Sequence, residues 1–361
     1  FMACTECGRC QSQCPAWNTE KPLSPKLLIM GLRDHAFAKG PYLIADSDEK
    51  REAVSDEVKA EAERPLIGAN PNGYAHAGDG AEGGVIDPDV LWSCTTCGAC
   101  VQQCPVDIEH VDHILNMRRY QVLMESEFPT EAGVMLNNLD HAGDPWGAGA
   151  RERTTWIGEM DFDVRVFGAD GEDRIPDDVE YLFWVGCAGA VDDKAKRTTK
   201  AVASLLHEAG VEFMVLGDGE TCTGDPARRL GNEFSFQMLG QQNVETLNEI
   251  GARKIVATCA HCFNTLANEY PQLGGNYDVL HHTQLLNQLV ADGRLTPVTP
   301  LDQTITYHDP CYLGRHNQVF SPPREILEAL PGATFTEMPR NSERSFCCGA
   351  GGARMWMEES L

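Results

Sequence analysis

The sequence predicts a helical domain built around two cysteine quartets, followed by an α/β domain made of two repeated halves. Three observations carry this. Cys4, Cys7, Cys10 and Cys14 recur as Cys94, Cys97, Cys100 and Cys104, each pair offset by 90 residues and each quartet closed by a proline, Pro15 or Pro105. Beyond Asp178, strand-like apolar runs alternate with helix-like ones, the pattern of a parallel sheet layered with helices. In that region Cys187 and Cys222 are matched by Cys311 and the pair Cys347-Cys348 at nearly equal spacing, with Cys222-Thr223-Gly224 set against Cys347-Cys348-Gly349, so two related half-domains are expected.

The elements follow in order. Residues 1–128 form the helical part: SPKLLIMGLRDHAFAKG, SDEKREAVSDEVKAEAER and VDHILNMRRYQVLMESE combine helix-period apolar positions with strong helix formers. The Gly/Asn-rich stretch from Gly68 to Gly84 reads as loop. From 129 to 178 the pattern weakens, with GDPWGAG and FGADGEDRIPDD as loop signals, and a connecting segment is expected. Residues 179–300 make the first half-domain, with EYLFWVG, VEFMVLG and KIVATC as strands between helical runs such as KAKRTTKAVASLLHEAG and ARRLGNEFSFQMLGQQNVETLNEIG. DVLHH, TITYHD and ATFTEM are expected to continue the sheet, and 301–361 make the second half-domain, which breaks off early.

The chain's 361 residues exceed one ordinary core. A net charge of -25, from 29 Lys+Arg against 54 Asp+Glu, repels phosphate backbones and argues against a nucleic-acid partner. The acidity serves solubility, or it steers a basic face of a redox partner. Fifteen cysteines grouped as C-x-x-C read as metal binding in a reducing, cytoplasmic compartment rather than as disulfides. No apolar run reaches bilayer-spanning length, and there is no signal peptide. Because the chain opens on Phe1 with a metal motif at once, further sequence is expected ahead of it.

Cys-x2-Cys-x2-Cys-x3-Cys-Pro is the bacterial ferredoxin run, in which three thiolates cap one [4Fe-4S] cluster and the fourth reaches to the other. The expected sets are therefore Cys4, Cys7, Cys10 and Cys104 for one cubane, and Cys94, Cys97, Cys100 and Cys14 for the second. Gly8 and Gly98 relieve crowding beside the cluster. Zinc also suits C-x2-C, but two complete copies ending in Cys-Pro favour clusters. Behind them, Cys187, Cys222, Cys259 and Cys262 form a second metal set, near strand C-terminal ends where α/β sheets hold ligands. The third set is Cys311, Cys347 and Cys348. By the repeat it needs a C-x-x-C about 36 residues further on, and the chain stops at Leu361, so this set is expected to be truncated.

Several signals are discounted. GDGAEG, Gly78 to Gly83, matches G-x-G-x-x-G without a preceding strand, so no dinucleotide site is expected. The charged run Asp46–Arg64 reads as a solvated helix face, and GAGGAR as a turn that admits the cluster or as a helix N-terminus beside it. His261 and His308 adjoin cysteines but read as hydrogen-bonded structural residues rather than ligands or proton relays. His281-His282 lacks a partner at ligand spacing. With no flavin or nicotinamide site, electrons are expected from another protein or an upstream domain.

The arrangement Cys187…Cys222-Thr-Gly…Cys259-x2-Cys262 with Cys311…Cys347-Cys348-Gly resembles the paired CCG domains of the heterodisulfide reductase superfamily. The quartets resemble the helical two-cluster ferredoxin domain that precedes them in fused members, so nearly the whole chain is covered. CTECGRCQSQCPAWNTEKPLSPK, LWSCTTCGACVQQCPVDIEHVDHILNMRRY, GDPARRLGNEFSFQ and SFCCGAGGARMWMEE look closest to the membrane-bound oxidoreductases that pass electrons from electron-transfer flavoprotein to menaquinone. The resemblance implies a flavoprotein donor, and menaquinone reached through a membrane domain or subunit on the cytoplasmic face. It implies haem b only in an upstream membrane part. It also implies a further [4Fe-4S] cluster, cubane or noncubane, at Cys311, Cys347 and Cys348, which would be the catalytic cysteines. Thr223 departs from the pattern where the first motif lacks its second cysteine, so Cys187, Cys222, Cys259 and Cys262 suit a [4Fe-4S] cubane or Zn. Other expectations stay open: a disulfide reductase component, the iron–sulfur subunit of a glycolate, lactate or glycerol-3-phosphate dehydrogenase, or a rear half that is a zinc-stabilised docking module.

Overall fold

The computed structural model describes residues 1–74 and 83–357, and the chain forms two compact units, 1–129 with 347–361, and 130–346. The Gly78–Gly83 motif lies, but for Gly83, outside the described residues.

The first unit is helical. Ser24 accepts from the Leu27 N–H at 3.2 Å and Pro25 takes the first helical position, so the run Pro25–Ala38 starts where cap chemistry dictates. The charged run becomes two helices, Asp48–Glu52 and Asp56–Glu63, because Ser55 caps the second. Its surface is solvated as expected at Lys50 and Asp46, but its end is not: Glu61 bonds His35 at 2.5 Å, and the buried Arg64 donates to the Gly83 and Gly84 carbonyls. His110–Tyr120 is helical and passes into a π-turn, Gln121–Glu125. Leu28, Ile29, Val85, Ile86, Val90, Leu91 and Ile114 form the core, and Cys14 and Cys94 pack in it.

The second unit is a doubly wound parallel sheet. Its strands are β1 (Arg165–Val166), β2 (Tyr181–Trp184), β3 (Phe213–Val215), β4 (Lys254–Ala257) and β5 (Asp278–His281), ordered β1-β3-β2-β4-β5. Side chains alternate along a strand, so β2 feeds two cores. Phe183 and Val185 meet the helix Asp193–Glu208 through Val202, Ala203 and Leu206, while Leu182 and Trp184 meet Phe236, Val244 and Leu247 of Glu233–Glu249.

Three expectations change. The stretch 129–178 holds a helix, Thr130–Ala142, a 3₁₀ segment, Ala150–Glu159, and the edge strand β1. Ala132, Met135, Leu136 and Leu139 bury one face of that helix, a pattern masked in the sequence by the loop signals after it. The run ARRL…EIG is two helices, since Gly231 at φ 110° ends the first in the left-handed region. TITYHD and ATFTEM do not extend the main sheet: β6 (Thr304–Ile305) and β7 (Thr334–Phe335) pair in parallel as a separate two-stranded sheet.

Candidate metal centres

In the first unit the 90-residue repeat is a structural repeat. Gly8 and Gly98 precede short helices at φ 78° and 73°, and Glu6 and Thr96, also 90 residues apart, both adopt positive φ, 59° and 54°. Non-glycine residues rarely take that conformation, so each C-x2-C loop is bent to one shape. Backbone donors face the sulfurs: Thr96 N–H donates to Cys94 Sγ and Ile108 N–H to Cys104 Sγ, both at 3.3 Å.

The two runs interlock. Cys4, Cys7, Cys10 and Cys104 line one partly open pocket with Gly8, Lys26 and His110. Cys10 is pushed up to about 11 by burial first, then by Cys4, Cys104 and Cys7, and Cys14 to about 12 by burial, then by Cys94 and Cys97. Cys10 and Cys100 share an apolar cluster with Val111 and Leu115, so the two sets adjoin. Crowded thiols in an apolar setting cannot ionise together without a positive centre. His110 lines the first pocket with its Nδ1 buried and unbonded, and burial lowers it to about 4. Crowded thiols at the spacing of the ferredoxin run fit an iron–sulfur cluster.

The closing segment belongs to this unit. Cys347 Sγ donates to Thr95 Oγ1 at 3.4 Å, and Gly349 N–H donates to Cys347 Sγ at 3.4 Å. Arg118, fully buried, donates to the Gly352 carbonyl at 2.9 Å, to Cys94 O at 2.8 Å and to Leu91 O at 2.9 Å. Arg354 donates to the Trp92 carbonyl at 2.9 Å, so GAGGAR is a turn seated on the second cysteine loop. Cys347 is buried and Cys348 exposed.

The second unit gathers the four other thiols at the carboxyl edge of its sheet. β2 connects away to β3 while its neighbour β4 connects the opposite way to β5, which opens a crevice at their C-terminal ends. Trp184 pairs with Ala257 at that edge; Cys187 and Cys259 follow them, and Cys222 follows β3. Cys222 hydrogen-bonds Cys187 and is the first cause of its lowered pKa, against burial and with help from Arg153. Cys259 is brought down to about 6, first by the Cys262 hydrogen bond, against burial and aided by His261. Cys262 in turn senses Cys187 and Cys222. A Cβ on Gly186, at φ 75°, would stand 3.3 Å from Cys262 Sγ, so the backbone itself makes room for that sulfur. Thr223 occupies the place of a fifth thiol, and Gly224 at φ 84° matches Gly349 at φ 88°. Four thiols at one sheet edge suit a four-iron cluster by number; among the described residues no group of three or more His, Cys, Asp or Glu is placed to hold a single metal ion.

Sequence reasoning missed Arg153 and Gly143. The Cys222 N–H donates to Gly143 O at 2.7 Å, and Arg153 donates to Cys187 Sγ at 3.2 Å and to Glu220 at 2.8 Å. No motif spacing marked either residue. His261 is hydrogen-bonded: Asp225 accepts from it at 2.8 Å, and although burial opposes its charge, that carboxylate lifts it to about 9. Asp225 also pairs with Arg229 at 2.9 Å, and Arg229 lies over Tyr312, which stacks between His261 and His316. Cys311, buried beside Tyr312, is among the groups acting on His261. His308 is half-buried.

The family models that match are a 4Fe-4S dicluster domain over residues 3–108 and a cysteine-rich CCG domain over 181–267 and 305–361. The chain carries a 4Fe-4S dicluster domain and a CCG domain. As in the expected fold class, a helical two-cluster ferredoxin-type domain precedes a CCG domain in two parts. Over 99% of its length the chain is 43% identical to the EtfAB:quinone oxidoreductase of Syntrophomonas wolfei, covering 49% of that protein. It is equally 43% identical, over 99% of its length, to the probable iron-sulfur-binding oxidoreductase FadF of Bacillus subtilis, of which it covers 51%. It is 29% identical to one polypeptide of the dihydromethanophenazine:CoB–CoM heterodisulfide reductase of Methanosarcina barkeri, over 97% of this chain and 78% of that one. The chain thus spans about half the length of the first two relatives. No solved structure matches it. Among the described residues no helix is long and apolar enough to cross a membrane.

Proposed function

We propose that this chain is the iron–sulfur part of an oxidoreductase that takes electrons from an electron-transfer flavoprotein and delivers them towards membrane menaquinone. The observation that carries it is the interlocking of the quartets, Cys104 with Cys4, Cys7 and Cys10, and Cys14 with Cys94 and Cys97. The name of the Syntrophomonas relative supports the flavoprotein and the quinone.

Each [4Fe-4S] cluster, when bound, supplies one-electron exchange at a potential set by its surroundings. The chain's own residues define who reaches it. Cys4, Cys7, Cys10 and Cys104 hold the outward centre, with Cys7 exposed where a donor protein docks. Cys14, Cys94, Cys97 and Cys100 hold a centre sealed from water. Thr95, between two of those ligands, touches Cys347 and joins the sealed centre to the CCG segment. Cys187, Cys222, Cys259 and Cys262 hold a metal centre with a complete set of four thiols.

Stopped-flow mixing of the anaerobic full-length protein with reduced electron-transfer flavoprotein tests this. Cluster bleaching followed by menaquinol formation is expected. Clusters that dithionite reduces and the flavoprotein does not would sink the proposal. A second reading, disulfide reduction, is favoured by one feature, exposed Cys348 next to buried Cys347, and by the Methanosarcina relative. Thiol release from a heterodisulfide by the same preparation would select it.

A further inference from the structure

We propose that Arg153 tunes the four-thiol centre: it is a positioning residue that donates to the Cys187 sulfur and sets how readily a group bound there accepts an electron. This rests on reading Cys187, Cys222, Cys259 and Cys262 as ligands of an iron–sulfur cluster.

The side chain is 4% exposed and both terminal nitrogens are engaged: one donates to Glu220 Oε1 at 2.8 Å, the other to Cys187 Sγ at 3.2 Å and Gly143 O at 3.3 Å. Glu220 is held in turn, accepting Val185 N–H at 3.0 Å and Gly186 N–H at 2.8 Å. A chain of bonds therefore runs from the end of β2 through Glu220 and Arg153 to the sulfur two residues past Val185. A merely structural arginine would need only Glu220. Here the planar, permanently charged guanidinium is aimed at a ligand atom, from a segment outside both repeated halves.

The consequence is electrostatic. A buried cation beside a thiolate stabilises added negative charge, because water does not screen it. An N–H···S bond also withdraws electron density from the sulfur. Both favour the reduced state of a bound cluster, and hydrogen bonds to sulfur are among the factors that set such potentials.

The full-length protein, purified anaerobically, is titrated by EPR, the signal of this centre being the one lost in Cys259→Ser protein. Substituting Arg153→Met together with Glu220→Gln removes the cation without stranding a buried carboxylate. That pair is expected to shift this signal's midpoint to more negative potential, leaving the front centres at wild-type values. Arg153→Lys keeps the charge but loses the fork, and is expected to give a smaller shift of the same sign. It decides the matter if the double variant does not fold. An unmoved midpoint in the variants that fold overturns the proposal while the reading of the site stands. If Cys259→Ser protein retains every EPR signal, both fall.

Discussion

The two quartets are one motif copied 90 residues apart, and their surroundings differ. In the first set Cys7 is exposed and Cys4 and Cys104 are half-buried. In the second, Cys14, Cys94, Cys97 and Cys100 are only 5–7% exposed, and Cys14 and Cys94 are packed into the hydrophobic core. Glu6 and Thr96, like Gly8 and Gly98, share backbone conformation, so the motif fixes the loop. What it does not fix is access. The chain around each loop leaves one centre open to a partner and walls the other in against its own closing segment.

The crossing of the two quartets is the part of this comparison with most to lose. Cys14→Ser should remove about four irons, all from the buried centre, and Cys104→Ser about four from the open one. Iron and sulfide counts with EPR check it. If Cys14→Ser protein lost instead the signal that depends on Cys4 and Cys7, the interlocking would be wrong.

Next in size is Arg118, the fastening of the buried centre. Its guanidinium serves the carbonyls of Leu91 and Cys94 and that of Gly352 on the closing segment. Arg118→Met leaves those carbonyls buried and unserved, at a cost of about 3 kcal/mol. Thermal unfolding followed by cluster absorbance should show the buried centre bleaching well below the wild-type temperature. Equal stability would mean the segment docks by other means.

A smaller effect is expected at Gly352. It sits at φ 63°, and a Cβ there would collide with the Cys94 carbonyl. Gly352→Ala should cost about 1–2 kcal/mol from conformation alone, with the clash added. Gly8→Ala, where φ is 78° but nothing lies within 4 Å of a Cβ, should show the conformational cost only. Urea midpoints of the two variants measure the difference that docking makes.

Much of this was legible in the sequence. EYLFWVG and KIVATC declared two buried central strands because both faces of a doubly wound sheet are covered, and the 3+1 cysteine spacing singled out the residues that line the first pocket. Arg118 was not legible. It stands beside Arg119, which bonds Asn116 at 2.9 Å from a half-buried position, and only folding separates the two. Arg153 and Gly143 were hidden for another reason: they lie in a stretch with weak periodicity whose partners, Glu220 and Cys222, are distant in sequence. The β6–β7 pair was misassigned because each strand has only two residues, too few for alternation to say which sheet it joins.

The smallest expected effect tests the contact that makes the buried centre more than a buried copy. Thr95 is 8% exposed, and its hydroxyl meets Cys347 Sγ at 3.4 Å. Thr95→Val preserves shape and removes only that oxygen, so stability should fall by about 1 kcal/mol or less. Both front centres should assemble with full iron. If Thr95 joins the buried centre to the CCG segment, the signal of the open centre should be untouched, while the environment of Cys347 changes. Alkylation of Cys347, read by peptide mass spectrometry on the protein as isolated, should then be faster in Thr95→Val than in wild type. The open centre's EPR line shape is the internal control. A change there with none at Cys347 would reverse which quartet faces the closing segment.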